Sequence, residues 1–290
     1  MKYAFIEAQR THHTVRRMCR LLEVSAAGYY EWRDRPKSAR ARIDETLTEA
    51  IVRVHAKSRQ TYGRPRIHAE LRCEGTRVSP KRVRRLMKSA GITGVRPRPF
   101  RRTTDSKHTF PIAENVVARN FDIKAIAKKN RIWAGDITYV PTREGWLYLA
   151  VVLDLVSRRV IGWSMSSTID TGLVVDAMRA AIVSRKPLAG TVFHSDRGSQ
   201  YASNDFRDLL KQAGFVQSMS RKGNCWDNSV SESFFGSLKG DLGDPVYESR
   251  AAARAKIFEY IEVWYNRERR HSTLGYLSPE DYESQLPIAA

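Results

Sequence analysis

The chain has 290 residues, 42% apolar and 10% aromatic, enough for one full-sized core plus one or two small modules, so a disordered chain is excluded. Its longest apolar stretch, around Trp146 to Leu153, is far short of the roughly 20 residues of a membrane span, and the N-terminus lacks the apolar core of a signal peptide. The net charge of +19 lies in one half: residues 1–130 hold 31 Lys and Arg against 12 Asp and Glu, whereas residues 131–290 hold 19 of each. A segment this basic repels itself without a polyanionic partner, and in the cytoplasm, the expected compartment, that partner is most often nucleic acid. Cys19, Cys73 and Cys225 form no Cys-x-x-Cys pair and read as ordinary thiols.

Residues 14–33 read as two short helices, with Val15, Met18, Leu21 and Leu22 at helical spacing, a break near Val24-Ser25, then Tyr29, Tyr30 and Trp32. From Arg40 to Lys57, the stripe Ile43, Leu47, Ile51 and Val54 predicts a longer packed helix. A helix-turn-helix-like unit follows over residues 61–92. Ser79 is its N-cap signal, Pro80 the first helical residue and Gly91 the stop. Its second helix shows Lys81, Arg82, Arg84, Arg85 and Lys88 around Val83, Leu86 and Met87, which makes it the candidate DNA-contacting helix. Residues 93–115 have the Pro, Arg and Thr of an extended basic linker. The chain therefore divides into a helical segment (1–60), the helix-turn-helix-like module (61–92), this linker, a core (116–245) and a C-terminal helix and tail (246–290).

The core begins with three β-rich runs, Arg131 to Val140, Trp146 to Leu153 and Arg159 to Met165, separated by short polar turns as in an antiparallel meander. Helix (Thr171 to Ser184), strand (Thr191 to Ser195), helix (Ser203 to Ala213) and strand (Phe215 to Met219) then alternate. This order predicts a mixed α/β sheet with its site at strand ends.

Asp136 falls in the middle of the first strand, where a lone carboxylate is costly unless a metal ion compensates it. Asp196 follows the short strand, and a Gly-containing turn exposes it. Glu232 lies on a helix starting near Asn228. At about 100° per residue, Val230, Phe234 and Leu238 share one side, and Glu232 and Lys239 share the opposite one. Spacing alone proves little, because Asp34 and Glu70 repeat the Asp196–Glu232 interval. Three acids on three elements of one sheet suit a hard divalent cation.

The runs Trp133-Ala-Gly-Asp136-Ile-Thr-Tyr, His194-Ser-Asp196-Arg-Gly-Ser-Gln-Tyr and Gly223-Asn-Cys-Trp-Asp-Asn228-Ser-Val-Ser-Glu232-Ser-Phe-Phe-Gly-Ser-Leu-Lys239 resemble bacterial insertion-sequence DDE transposases. So does the closing Trp264-Tyr-Asn-Arg-Glu-Arg269-Arg-His271-Ser-Thr-Leu-Gly-Tyr-Leu-Ser-Pro279. The chain looks like the second-frame (OrfB) product of the OrfA/OrfB frameshift group, whose core is similar to retroviral integrase. The resemblance spans residues 60–283.

It implies a ribonuclease H-like core in which Asp136, Asp196 and Glu232 bind two Mg²⁺, with Mn²⁺ as substitute. It also implies 3′-end cleavage and strand transfer on double-stranded DNA, acting on element ends and target, by at least a dimer and possibly with an upstream-frame segment. Lys239 is expected near the element end; Arg269 and His271 read either as phosphate contacts or as packing, and His194 and Asn228 either as residues that orient the metal ligands or as packing or capping. A nucleoid-associated protein of the bacterial cytoplasm follows. Two departures stand out: neither His12-His13 with Cys19 nor any other set has the zinc-ligand spacing of retroviral integrases, and no heptads are sustained. A non-catalytic DNA-binding regulator or assembly factor of the same fold is the alternative reading.

Overall fold

The computed structural model describes residues 1–95, 110–117, 129–221 and 229–286. Three short helices come first: α1 (Lys2–Gln9), α2 (Val15–Leu21) and α3 (Ala26–Asp34). They share a small core of Ile6, Met18, Cys19 and Tyr29, and the Ser25 side chain caps α3. Only α2 and α3 were legible in the residue pattern.

Next come α4 (Ala39–Lys57), α5 (Arg64–Cys73) and α6 (Pro80–Ser89). Leu47, Ile51 and Val54 of α4 pack with Ile67 and Leu71 of α5 and Val83, Leu86 and Met87 of α6, so α4 builds one three-helix unit with the two helices after it. Ser79 Oγ accepts the Arg82 N–H at 3.3 Å and Pro80 opens α6. At the other end Gly91 takes φ +67°, the left-handed turn that lets the Ile92 N–H reach the Met87 carbonyl.

The sheet has five strands in the order β3-β2-β1-β4-β5. They are β1 (Ile132–Thr142), β2 (Gly145–Asp154), β3 (Val160–Ser166), β4 (Val192–Ser195) and β5 (Val216–Met219). The first three form the expected antiparallel meander, and β4 and β5 add in parallel to β1. On one face α7 (Thr171–Arg185) and α9 (Asn204–Gln212) pack on Trp133, Val152 and Phe193, with the short α8 (Ser199–Ala202) just before α9.

The other face is covered by α10 (Ser229–Leu242), α11 (Arg250–Glu259) and a π-helical turn, Tyr260–Tyr265, over Leu147, Leu149, Val151 and Leu153. A last helix, α12 (Pro279–Gln285), starts from the Ser278 cap.

The same apolar core continues into the α4–α6 unit. Tyr62 lies 5.8 Å from Trp264 ring to ring, its hydroxyl accepts the Arg270 N–H at 2.7 Å, and Arg66 Nε donates to the Arg270 carbonyl at 2.9 Å. Arg59 with Glu259 and Arg270 with Glu70 add two ion pairs across the junction. None of the helices among the described residues is long and apolar enough to cross a membrane.

Candidate active site

Strand pairing places two of the three acids. Ala134 of β1 pairs with His194 of β4, and the strands run parallel. Asp136 and Asp196 each come two residues later, so the alternation of side chains sends both off one face of the sheet, next to each other. Asp136 Oδ1 accepts the Ile137 N–H at 2.8 Å, and Asp196 Oδ1 accepts the Gly198 N–H at 2.9 Å, each fixing its carboxylate to local backbone. Tyr201 feels both: burial first, then the charges of Asp136 and Asp196, hold its phenol well above the usual range. Gly135 has no room for a side chain, since a Cβ there would lie 2.5 Å from the Phe193 ring.

The face that carries Asp136 and Asp196 is the one α10 crosses, because Val151, opposite Asp136, belongs to the core beneath that helix. Glu232 sits in the first turn of α10 and is half-buried; burial alone raises its carboxyl above the usual range. The buried stripe of α10 is Ser231, Phe234, Phe235 and Leu238 rather than Val230, Phe234 and Leu238. Glu232 and Lys239 therefore share a flank about 100° from that stripe instead of facing away from it. Lys239 lies beside Tyr139, Pro141 and Tyr247. Among the described residues no three His, Cys, Asp or Glu side chains are gathered closely enough to hold one metal ion, so the three acids do not meet at one point here.

His194 is 1% exposed and its Nδ1 is 2.9 Å from Ser218 Oγ, which also accepts the Val116 N–H at 3.2 Å. It ties β4 to β5 directly beneath Asp196. Asn228 and the preceding Trp226 lie outside the described residues.

Two expected phosphate contacts are corrected. Arg269 is 3% exposed, and its Nε donates to Asp241 Oδ2 at 2.6 Å, an acceptor shared with Tyr260 Oη at 3.0 Å. His271 packs edge-on against Tyr265 at 4.8 Å with its Nε2 enclosed. Arg269 is not at the surface to meet DNA, and His271, half-buried, has its Nε2 closed off from it. The closing motif is instead a clamp, in which Asn266 bonds both the N–H and the carbonyl of Val160 and Arg270 bonds the Tyr276 carbonyl at 2.8 Å. A motif run looks the same whether its residues serve packing or chemistry, and Asp241, the acid that decides the matter, stands in no motif.

On α6, Lys81, Arg84, Arg85 and Lys88 are exposed. Arg82 is half-buried and gives Nε to Asp44 of α4 at 2.7 Å, and Arg85 reaches the same carboxylate at 2.6 Å. These two bonds, Arg85 first, hold Asp44 below the usual carboxylate range. Arg82 thus braces the unit, whereas Lys81, Arg84 and Lys88 point outward with no ion-pair partner among the described residues.

A five-stranded mixed sheet flanked by helices, with one acid inside its central strand and another just past the end of the parallel strand beside it, is an integrase-like, ribonuclease H-like core, here joined to a helical DNA-binding type of module. Integrase core domain families match residues 127–225 and 213–279, and an HTH-like domain family matches residues 42–100. The Escherichia coli (strain K12) transposase InsF for insertion sequence IS3A is 41% identical over 288 residues, 98% of this chain and 99% of that protein. The 31 kDa protein of insertion element IS600 from Shigella sonnei is 41% identical over 92% of this chain and 98% of its own length.

Among solved structures, the simian T-cell lymphotropic virus intasome with PP2A regulatory subunit B56 gamma aligns at 15% identity and TM-score 0.46, covering 83% of this chain and 78% of that one. The HTLV-2 integrase catalytic core domain in complex with magnesium aligns at 17% and 0.41, covering 53% and 95%. The chain belongs to the IS3-family insertion-sequence transposases. It is a DNA transposase, an enzyme of the polynucleotidyl transferase class.

Proposed function

We propose that Asp136, Asp196 and Glu232 are the catalytic carboxylates of this transposase, and that they cleave the 3′ ends of an insertion sequence and join them to target DNA. The observation that carries this is the placement of Asp136, within β1, beside Asp196, just past the end of the parallel β4, with Glu232 on the helix crossing the same face.

The donor set fits a divalent metal: carboxylate oxygens are what Mg²⁺ or Mn²⁺ prefers, and a cation would offset the burial that raises Glu232. Two such ions would activate the attacking oxygen and stabilise the departing one. The chain's own part is to hold the three carboxylates, to keep the strand ends rigid through His194 and Tyr201, and to steer the phosphodiester with Lys239. Water is the nucleophile in cleavage and the freed 3′-hydroxyl in joining. In each step one P–O bond forms as another breaks, so no protein nucleophile is required. Lys81, Arg84 and Lys88, with Arg85 beside them, bind the terminal repeats; Arg82 supports that helix from within. The active species is at least a dimer, because two ends must be joined, with the upstream-frame segment as a possible fused part, working in the bacterial cytoplasm on the nucleoid.

The test is a strand-transfer assay with labelled element ends in Mg²⁺ or Mn²⁺. Joined products from wild type and none from Glu232→Gln are expected. Equal product from Glu232→Gln would overturn the triad.

A further inference from the structure

The groove between α5 and the loop 270–277 has no part in the site just described. Its cavity volume is about 630 Å³, and it continues into a second hollow of about 590 Å³ along the α5–α6 connection, the two sharing His68 and Arg72. Arg64, His68 and Arg72, four residues apart, form a basic ridge along one side of α5. The small Ala69 beside them leaves the groove floor low, and Arg77 lines the second hollow. The opposite wall is Arg270 with Gly275 to Leu277.

Among the described residues no carboxylate lines either hollow. The nearest acids are already paired, Glu70 of α5 with Arg270 of the groove's own wall and Glu74, just past α5, with Arg53 at 2.6 Å. Arg64, Arg72 and Arg77 have no ion-pair partner among the described residues. His68 Nε2, 3.0 Å from the Val78 carbonyl, fixes the connection that carries Arg77. Three uncommitted guanidiniums along one groove suit a string of phosphates better than a single anion, and the groove ends at Pro80, where α6 begins.

We propose that this groove is a second DNA track, which holds the backbone phosphates of one strand next to the duplex contacted by α6. The proposal rests on the reading of α6 as a DNA-binding helix. The track contributes affinity and alignment without reading sequence, because guanidinium contacts to phosphate carry no base information. One wall belongs to the helical unit and the other to the segment clamped on the sheet, so the track exists only while the two are docked.

The test uses the full chain and duplexes carrying the element ends, with binding measured between roughly 50 and 200 mM salt. The combined variant Arg64→Ala, Arg72→Ala, Arg77→Ala should reduce the log-log salt slope by about 3, because each phosphate contact adds about 0.9. Element-end and scrambled duplexes should weaken alike, and the matching Arg→Lys variant should restore the slope. As a local readout, bound DNA should slow alkylation of the exposed Cys73, which lines the groove, in wild type and not in the Ala variant. An unchanged slope and unprotected Cys73, with binding still lost in Lys81→Ala, Arg84→Ala, Lys88→Ala, would refute the groove and spare α6. If the α6 variant also binds as wild type does, the DNA-binding reading of α6 fails, and the groove proposal with it.

Discussion

Asp136 and Asp196 stand two residues beyond Ala134 and His194, a directly paired position on adjacent parallel strands, so the two carboxylates leave one face of the sheet side by side. Two acids in that position repel each other unless a cation lies between them.

A metal-binding prediction follows that needs no turnover. Mn²⁺ at about 100 times its dissociation constant adds about 2.7 kcal/mol, and a chain of this size melts about 2–4 °C higher for each kcal/mol. Wild type should show that rise in a calorimetric scan and the Asp136→Asn, Asp196→Asn double variant should not. An equal rise in both would place the ion elsewhere.

Gly135→Ala tests the support beneath the site. The added methyl meets the Phe193 ring edge at 2.5 Å, and the ring is fully buried against Tyr201 and Phe206. Overpacking should cost about 1–3 kcal/mol in urea unfolding. A cost near zero would mean that the ring shifts freely and that the floor under Asp136 is soft.

Arg269→Ala should act on stability and not on DNA contact. It strands Asp241 in a buried setting, which costs about 3–5 kcal/mol. Below the melting transition the salt slope of DNA binding should equal that of wild type. A reduced slope at unchanged stability would return Arg269 to the DNA surface.

His271 gives the fold a pH dependence. Burial, then the nearby charges of Arg269, Arg66 and Arg158, hold its imidazole well below the ordinary histidine value. In the unfolded chain it titrates near 6.5. Its contribution is therefore complete above about pH 6.5 and declines as the pH falls, because the unfolded state takes up the proton first. Between neutral pH and pH near 5, wild type should lose more unfolding free energy than His271→Gln. Parallel losses would show that the ring is not kept neutral by the fold.

Much of this architecture was legible from the residues. The three-strand meander, the alternation after it, α4, and α6 with its Ser79 cap and Gly91 stop all appear within a residue or two of where periodicity and capping placed them. Pattern reading failed where a residue's role depends on a distant partner. The fate of Arg269 is decided by Asp241 and that of Arg82 by Asp44, 28 and 38 residues away. The parallel pairing that brings Asp136 beside Asp196 is likewise invisible in one dimension. The helix α1 buries only Ile6 and so shows no apolar stripe, α8 is a single turn, and the π-helical turn departs from the 3.6-residue period.

One apolar core runs from Ile51, Leu71 and Leu86 to Leu238 and Trp264 and packs the helical unit onto the sheet. The chain then acts as a gauge. If α6 grips the element end and the carboxylates act on the bond as proposed, the number of base pairs between those two points is fixed by the folded protein, not by the length of the linker. Since duplex DNA turns once in about 10 base pairs, inserting half a turn between those two points would present the opposite side of the helix to the acids, even with every base contact intact.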